Sequence, residues 1–264
     1  MYPLDLGRIF FIPGCRLGGF RVVARGEHGV MRKALDLCSK YNAHLISLHF
    51  TLNPNGEKVF TLFYDFTECS ASLKEVVEEI KKIESIKEVT PIEQQAEGFI
   101  ADTTSPTITV NGVRGIILRT PTWSTLVNKI RERFGAGGEA ILYYVGLDMG
   151  VNAAKDHRKM AEVLGLREPD KITHILGASF FISTGWGRLH VDKFTLNPLY
   201  ALITVHHSFE CETGPASRNS YSQLTRGLIA GYLSHLLGLE IEVNEVECIA
   251  RGDPHCRFEC KPRK

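Results

Sequence analysis

Two glycines four residues apart, followed by a strand, a tight turn and a second strand with cysteines at its mouth, restrict this chain more than any other feature. The stretch runs from Gly227 to Cys260, GLIAGYLSHLLGLEIEVNEVECIARGDPHCRFEC. On a helix, Gly227 and Gly231 permit another element to approach where bulky side chains would not fit. After an apolar strand the chain reverses at Arg251-Gly252-Asp253-Pro254, because Gly252 can take a positive φ and Pro254 fixes its own. The hairpin arms carry Cys248 and Cys256, which with Glu245 give E-x-x-C followed by C-x7-C. Two thiols at the mouths of facing strands come within reach of one ion. Residues three apart in a regular strand face opposite ways, so a bulge or turn must separate Glu245 from Cys248. Cys260 is a poor companion for Cys256, since four residues of strand span roughly 13 Å. The plainer alternative is a pair of buried thiols at a hairpin end.

In this spacing, with G-x-x-x-G upstream, the stretch resembles the 4-vinyl reductase domain family. That family includes small-molecule sensing domains of aromatic-responsive bacterial regulators and is related in fold to small subunits of the TRAPP tethering complexes. The resemblance implies a zinc ion held by a Cys before the glycine helix, a Glu and two further Cys. Glu245, Cys248 and Cys256 match three of those positions, and the fourth, five residues before Gly227, is Ser222. Zinc takes four ligands in a tetrahedron and favours thiolates at structural sites. Three protein ligands leave a corner open to Ser222, a water, His207 or Cys211. His206-His207 and Cys211 read as part of one extended segment, Leu199 to Glu210 and just beyond, which holds His207 and Cys211 too far apart for direct contact.

The chain has 264 residues, enough for two domains of ordinary size, and its 44% hydrophobic and 23% charged content can bury a core. A net charge of +1 gives no electrostatic case for nucleic acid or an anionic membrane surface. Seven cysteines in no framework suggest reduced thiols and a cytoplasmic setting. No apolar run is long enough for a signal peptide or a membrane span.

Residues 19–95 read as β-α-β-β-α-β, a split βαβ unit with an antiparallel sheet backed by two helices. Val30, Ala34, Leu37, Cys38 and Tyr41 recur at helical spacing, Asn53-Pro54-Asn55-Gly56 marks a hairpin, and Ser72 with Glu75 forms a capping box. Glu27-His28-Gly29 is the first strand–helix turn. The order resembles the ACT domain, which implies a small effector bound at that turn, by Glu27, Gly29 and Val30. The family more often has Asp before the glycine.

The expected fold class is α+β: a ferredoxin-like, ACT-like domain over residues 1–97, a linker over 98–111, and a helix-rich domain with an antiparallel sheet over 112–264. In the second domain, helices are expected from Thr120, over Ala140–Met149 as an apolar core helix, over Lys155–Leu164, and from Pro169 to about Ser183. His174, Phe181, Trp186 and Tyr232 are candidates to line an apolar ligand pocket. No dinucleotide fingerprint, P-loop or G-x-S-x-G elbow is present. With no catalytic set, the chain reads as a non-enzymatic small-molecule sensor with a regulatory role, holding a structural zinc and pairing as a homodimer. No DNA-reading element is evident, so a transcriptional effect needs a partner. The alternatives are an accessory enzyme in vinyl-group reduction, with borrowed redox chemistry, or a TRAPP-like scaffold.

Overall fold

A computed structural model describes residues 3–26, 29–214, 216 and 219–263. The chain forms two compact units, Met1–Ile116 and Ile117–Lys264, with an α+β fold in each.

The first unit contains β1 (Ile9–Phe11), β2 (Leu17–Ala24), α1 (Val30–Lys40), β3 (His44–Leu52), β4 (Lys58–Asp65), α2 (Leu73–Lys81) and β5 (Ile86–Glu93). Strands β2 to β5 form an antiparallel sheet in the order β3-β4-β2-β5, the ferredoxin-like arrangement of a split βαβ unit. One sheet face, with Phe20, Phe60, Leu62 and Tyr64, packs under Val30, Ala34 and Cys38 of α1 and Val76, Val77 and Ile80 of α2. The Ser72–Glu75 capping box starts α2 as expected, each side chain meeting the other residue's backbone N–H. The opposite face is covered by a short ribbon of β1 with β6 (Phe99–Ala101), where Phe10 lies on Phe63 at 5.1 Å between ring centroids. Residues 98–111, read as a linker, therefore carry a paired strand, followed by β7 (Ile108–Val110). The hairpin of β7 with β8 (Val113–Gly115) turns at Asn111-Gly112.

The second unit opens with α3 (Thr120–Phe134), which has Pro121 in its first turn. Gly135 breaks the chain, and α4 (Ala136–Leu164) follows as one helix of 29 residues. The sequence suggested two helices here with Ala140–Met149 apolar on all sides. Instead, Ile141, Tyr144 and Val145 are exposed, and the buried stripe is Gly138, Leu142, Gly146, Gly150, Ala154, His157 and Ala161. Next come α5 (Pro169–Ile172), a π-helical turn (Thr173–Gly177) and α6 (Ala178–Ser183), the helical run expected after Pro169. The sheet, in the order β11-β12-β10-β9, is antiparallel throughout and comprises β9 (Arg188–Leu196), β10 (Leu199–His206), β11 (Ile241–Glu247) and β12 (Cys256–Pro262). Between β10 and β11 lie α7 (Phe209–Glu212) and α8 (Gln223–Leu237).

The glycines of α8 meet a second glycine pair on α4. A Cβ on Gly227 or Gly231 would lie 2.0 Å from the carbonyl oxygen of Tyr143 or Leu147; on Gly146 or Gly150 it would lie 2.1 Å from that of Leu224 or Leu228. Only glycine allows two helices this close. The seam presses α8 onto α4 with the sheet beneath. No helix among the described residues is long and apolar enough to cross a membrane.

Candidate functional site

Beside the glycine seam the second unit encloses a cavity of about 210 Å³. Its walls come from α4 (Met149, Ala153, His157), the π turn and α6, the start of the sheet, and α8 (Leu228, Tyr232, Leu233). A single aromatic ring fits this space, since a cavity of about 150 Å³ already admits benzene. The lining is apolar with few polar groups. Thr173 and Thr184 donate their hydroxyls to the helix carbonyls of Pro169 and Phe180. His157 Nδ1 lies 2.9 Å from the Tyr232 hydroxyl, and the two rings meet edge-on at 5.5 Å. Burial lowers the pKa of His157 below its ordinary 6.5 and raises that of Tyr232, so both are neutral near pH 7. The π turn widens the helical path where Thr173 and Gly177 join the wall; such insertions often accompany functional sites.

Phe181, Trp186 and Tyr232 therefore line one pocket as the sequence suggested. His174 does not. It is exposed, and its Nδ1 turns back to the Asp170 carbonyl at 3.2 Å. The histidine that reaches the cavity is His157, which was not among the residues singled out from the sequence. Its signal was present: a stripe of small residues, Gly146, Gly150, Ala154 and Ala161, is interrupted by one large polar side chain at the same spacing.

A second cluster sits at the hairpin mouth. Ligand atoms of Cys211, Glu245, Cys248 and Cys256 all lie within 4.8 Å of one another. A register shift between Glu245 and Glu247 supplies the bulge that the E-x-x-C spacing required, turning Glu245 toward the thiols. Asp253 holds the turn by accepting from the Cys248 amide at 2.7 Å, and the Ile249 amide donates to Cys256 Sγ at 3.5 Å. Ser222, fully buried at the start of α8, donates its hydroxyl to Glu245 Oε1 at 2.7 Å and its amide to Oε2 at 3.1 Å. Its Oγ is also 2.9 Å from Cys211 Sγ and 3.6 Å from Cys256 Sγ.

Cys211 reaches the cluster because β10 ends at His206, short of the Glu210 expected from sequence. His207 takes φ of 54°, and the chain turns into α7, pointing Cys211 inward with its Sγ 3.6 Å from that of Cys248. His207 points away, exposed and bonded to Glu212 at 3.0 Å. Cys260 lies outside the cluster, as its strand spacing required.

Burial raises the Glu245 carboxyl to about 7 against the opposing bonds from Ser222. Cys248 is drawn down by hydrogen bonds from Cys211 and Cys256, while its bond to Cys248 holds Cys211 up. Several acidic groups thus compete for one shared negative charge. A divalent cation relieves this crowding: zinc–sulfur bonds of about 2.3 Å place tetrahedral sulfurs about 3.8 Å apart, close to the spacing found. The donor set fits zinc.

At the first-unit turn, Glu27 and His28 lie outside the described residues. Gly29 takes φ of 102° at the start of α1, with nothing within 4 Å of where a Cβ would stand. The Val30 side chain is buried in the core, leaving only its backbone to face that turn.

No curated protein sequence matches the chain. Among solved structures, the phenol-responsive sensory domain of the transcription activator PoxR with phenol is similar at 22% identity, over 59% of this chain and 80% of that one, with a TM-score of 0.52. A vinyl-4-reductase family protein from Methanocaldococcus jannaschii is similar at 20% identity over 57% and 85%, TM-score 0.41. The ACT domain of GTP pyrophosphokinase from Chlorobium tepidum matches at 15% identity over 30% of this chain and 99% of that one, TM-score 0.25. Residues 202–262, from β10 through α8 and both strands of the cysteine hairpin, match the family model of the vinyl-4-reductase domain. The chain carries a vinyl-4-reductase domain in its second unit.

Proposed function

We propose that this protein is a non-enzymatic sensor whose second unit binds a small, mainly apolar molecule in the α4–α8 cavity. The observation that carries the reading is the cavity itself: room for about one ring, apolar walls, and a neutral His157–Tyr232 pair as a polar anchor. A ligand with one hydroxyl on an aromatic ring would satisfy both parts of that wall. The fold likeness to a phenol-responsive sensory domain supports the same choice. In this reading residues 112–264 form the sensing domain, and a structural zinc at the hairpin keeps Glu245, Cys248 and Cys256 together. Residues 1–97 form an effector domain, with the turn at Glu27, Gly29 and Val30 binding a small polar molecule. The protein works in the cytoplasm with its cysteines reduced, regulates through a partner, and pairs as a homodimer that covers the open edges of the first-unit sheet.

Titration calorimetry with phenol and its methyl-substituted relatives, and separately with an amino-acid panel, tests both sites. Tyr232→Phe is expected to weaken phenol about tenfold, the value of one hydrogen bond. Gly29→Val is expected to abolish the heat of an amino-acid ligand. No heat from any aromatic compound sinks the cavity reading, and light scattering that gives a monomer sinks the dimer.

A further inference from the structure

We infer that Cys211 supplies the fourth metal ligand in the place that Ser222 would otherwise fill, and that its position on α7 ties metal occupancy to the cavity wall. This rests on the zinc proposed at the hairpin and specifies which side chains hold the ion.

Position, chemistry and elimination agree. The Cys211 sulfur lies 3.6 Å from that of Cys248 and within 4.8 Å of the other two donors, as a tetrahedral corner requires. A thiolate is a far better zinc ligand than a serine hydroxyl. Ser222 is already committed, giving one hydrogen bond from its hydroxyl and one from its amide to the two oxygens of Glu245. That is the place of a residue that orients a ligand from behind. The other two candidates are absent: His207 is exposed and bonded to Glu212, and Cys260 is outside the cluster.

The residues flanking Cys211 carry the link to the cavity. Phe209, two residues earlier, packs against Trp186 and Trp123 with ring centroids 4.7 Å from each, and Trp186 lines the cavity. Glu210, fully buried, accepts from the amides of Leu224 and Thr225 at the start of α8 and pairs with Arg131 at 2.7 Å. A metal bond at Cys211 therefore fixes the short helix that supports both the cavity aromatic and the first turn of α8. The chain contains two tryptophans, and both touch Phe209, so their emission reports on α7 directly.

The experiment uses the full-length protein, loaded with zinc and with cobalt(II), in four forms: parent, Cys211→Ser, Ser222→Ala and the double variant Cys211→Ser with Ser222→Cys. Metal affinity, the cobalt–thiolate charge-transfer band and tryptophan emission are read for each. The parent is expected to bind one equivalent, and chelation to change its tryptophan emission. Cys211→Ser should lose more than about a hundredfold in affinity and about a third of the charge-transfer intensity, as three thiolates become two. Ser222→Ala should keep the full band with affinity lower by about tenfold. The double variant should regain the band, but its tryptophan emission should no longer respond to metal. A parent that binds no metal overturns both this inference and the zinc reading. A parent that binds while Cys211→Ser keeps native affinity and an unchanged band overturns the inference alone. So does an unaltered emission on chelation of the parent.

Discussion

His157 shows how much one buried side chain can impose. It is neutral because burial disfavours its proton, and Asp156 beside it opposes that only in part. Its folded pKa lies below the ordinary 6.5, so as pH falls the unfolded chain takes up the proton first. The stability linked to this group is complete above about pH 6.5 and is lost as the pH drops below it. Thermal melts between pH 8 and 5 should show the parent losing stability in this window. His157→Gln, which keeps a polar partner for Tyr232 but cannot titrate, should lose less over the same range. At this scale the sequence was partly legible. The bulge at Glu245 followed from strand geometry alone, and the structure has it at the predicted place. Cys211 was not legible as a cluster member because the apolar run from Leu199 gives no sign that the strand stops at His206. The positive φ at His207, a non-glycine residue, is imposed by the turn into α7 and has no local signature.

Among the elements, the seam between α4 and α8 has the least tolerance. Gly231→Ala or Gly146→Ala would place a methyl carbon near 2 Å from a backbone oxygen, and backbone in a helix cannot step aside as a side chain can. We expect each to destabilise the second unit by at least about 3 kcal/mol in denaturant melts. Gly137→Ala serves as the control: it lies on α4 with nothing within 4 Å of the added carbon and should stabilise by about 0.5–1 kcal/mol. The close approach at Gly227 and Gly231 was readable from their spacing, but the matching pair on α4 was obscured by neighbours. Ile141, Tyr144 and Val145 make Ala140–Met149 look apolar on every side, yet they face outward. Hydrophobicity reports which residues prefer burial, whereas on this helix the buried face is set by which residues are small enough for contact. In the first unit the periodicities, the hairpin signal and the capping box all agreed, and the β-α-β-β-α-β order emerged intact. The ribbon of β1 and β6 did not, because strands of three residues leave no periodic signal.

For the whole chain, two units with separate hydrophobic cores imply two separate unfolding events. Scanning calorimetry should resolve two transitions, and a zinc chelator should lower one of them while leaving the other in place. A single transition that moves as one would contradict this independence. The glycine seam also has a mechanical consequence for the second unit. Helices separated by side chains can slide by exchanging rotamers, but α4 and α8 meet backbone to backbone and have no such lubricant. Together they behave as a stiff beam that forms one side of the ligand chamber. Strain from an occupant must then be absorbed by the opposite side, where the widened turn at Thr173–Gly177 offers the softest hinge. The signal, in this architecture, leaves through the wall that can bend.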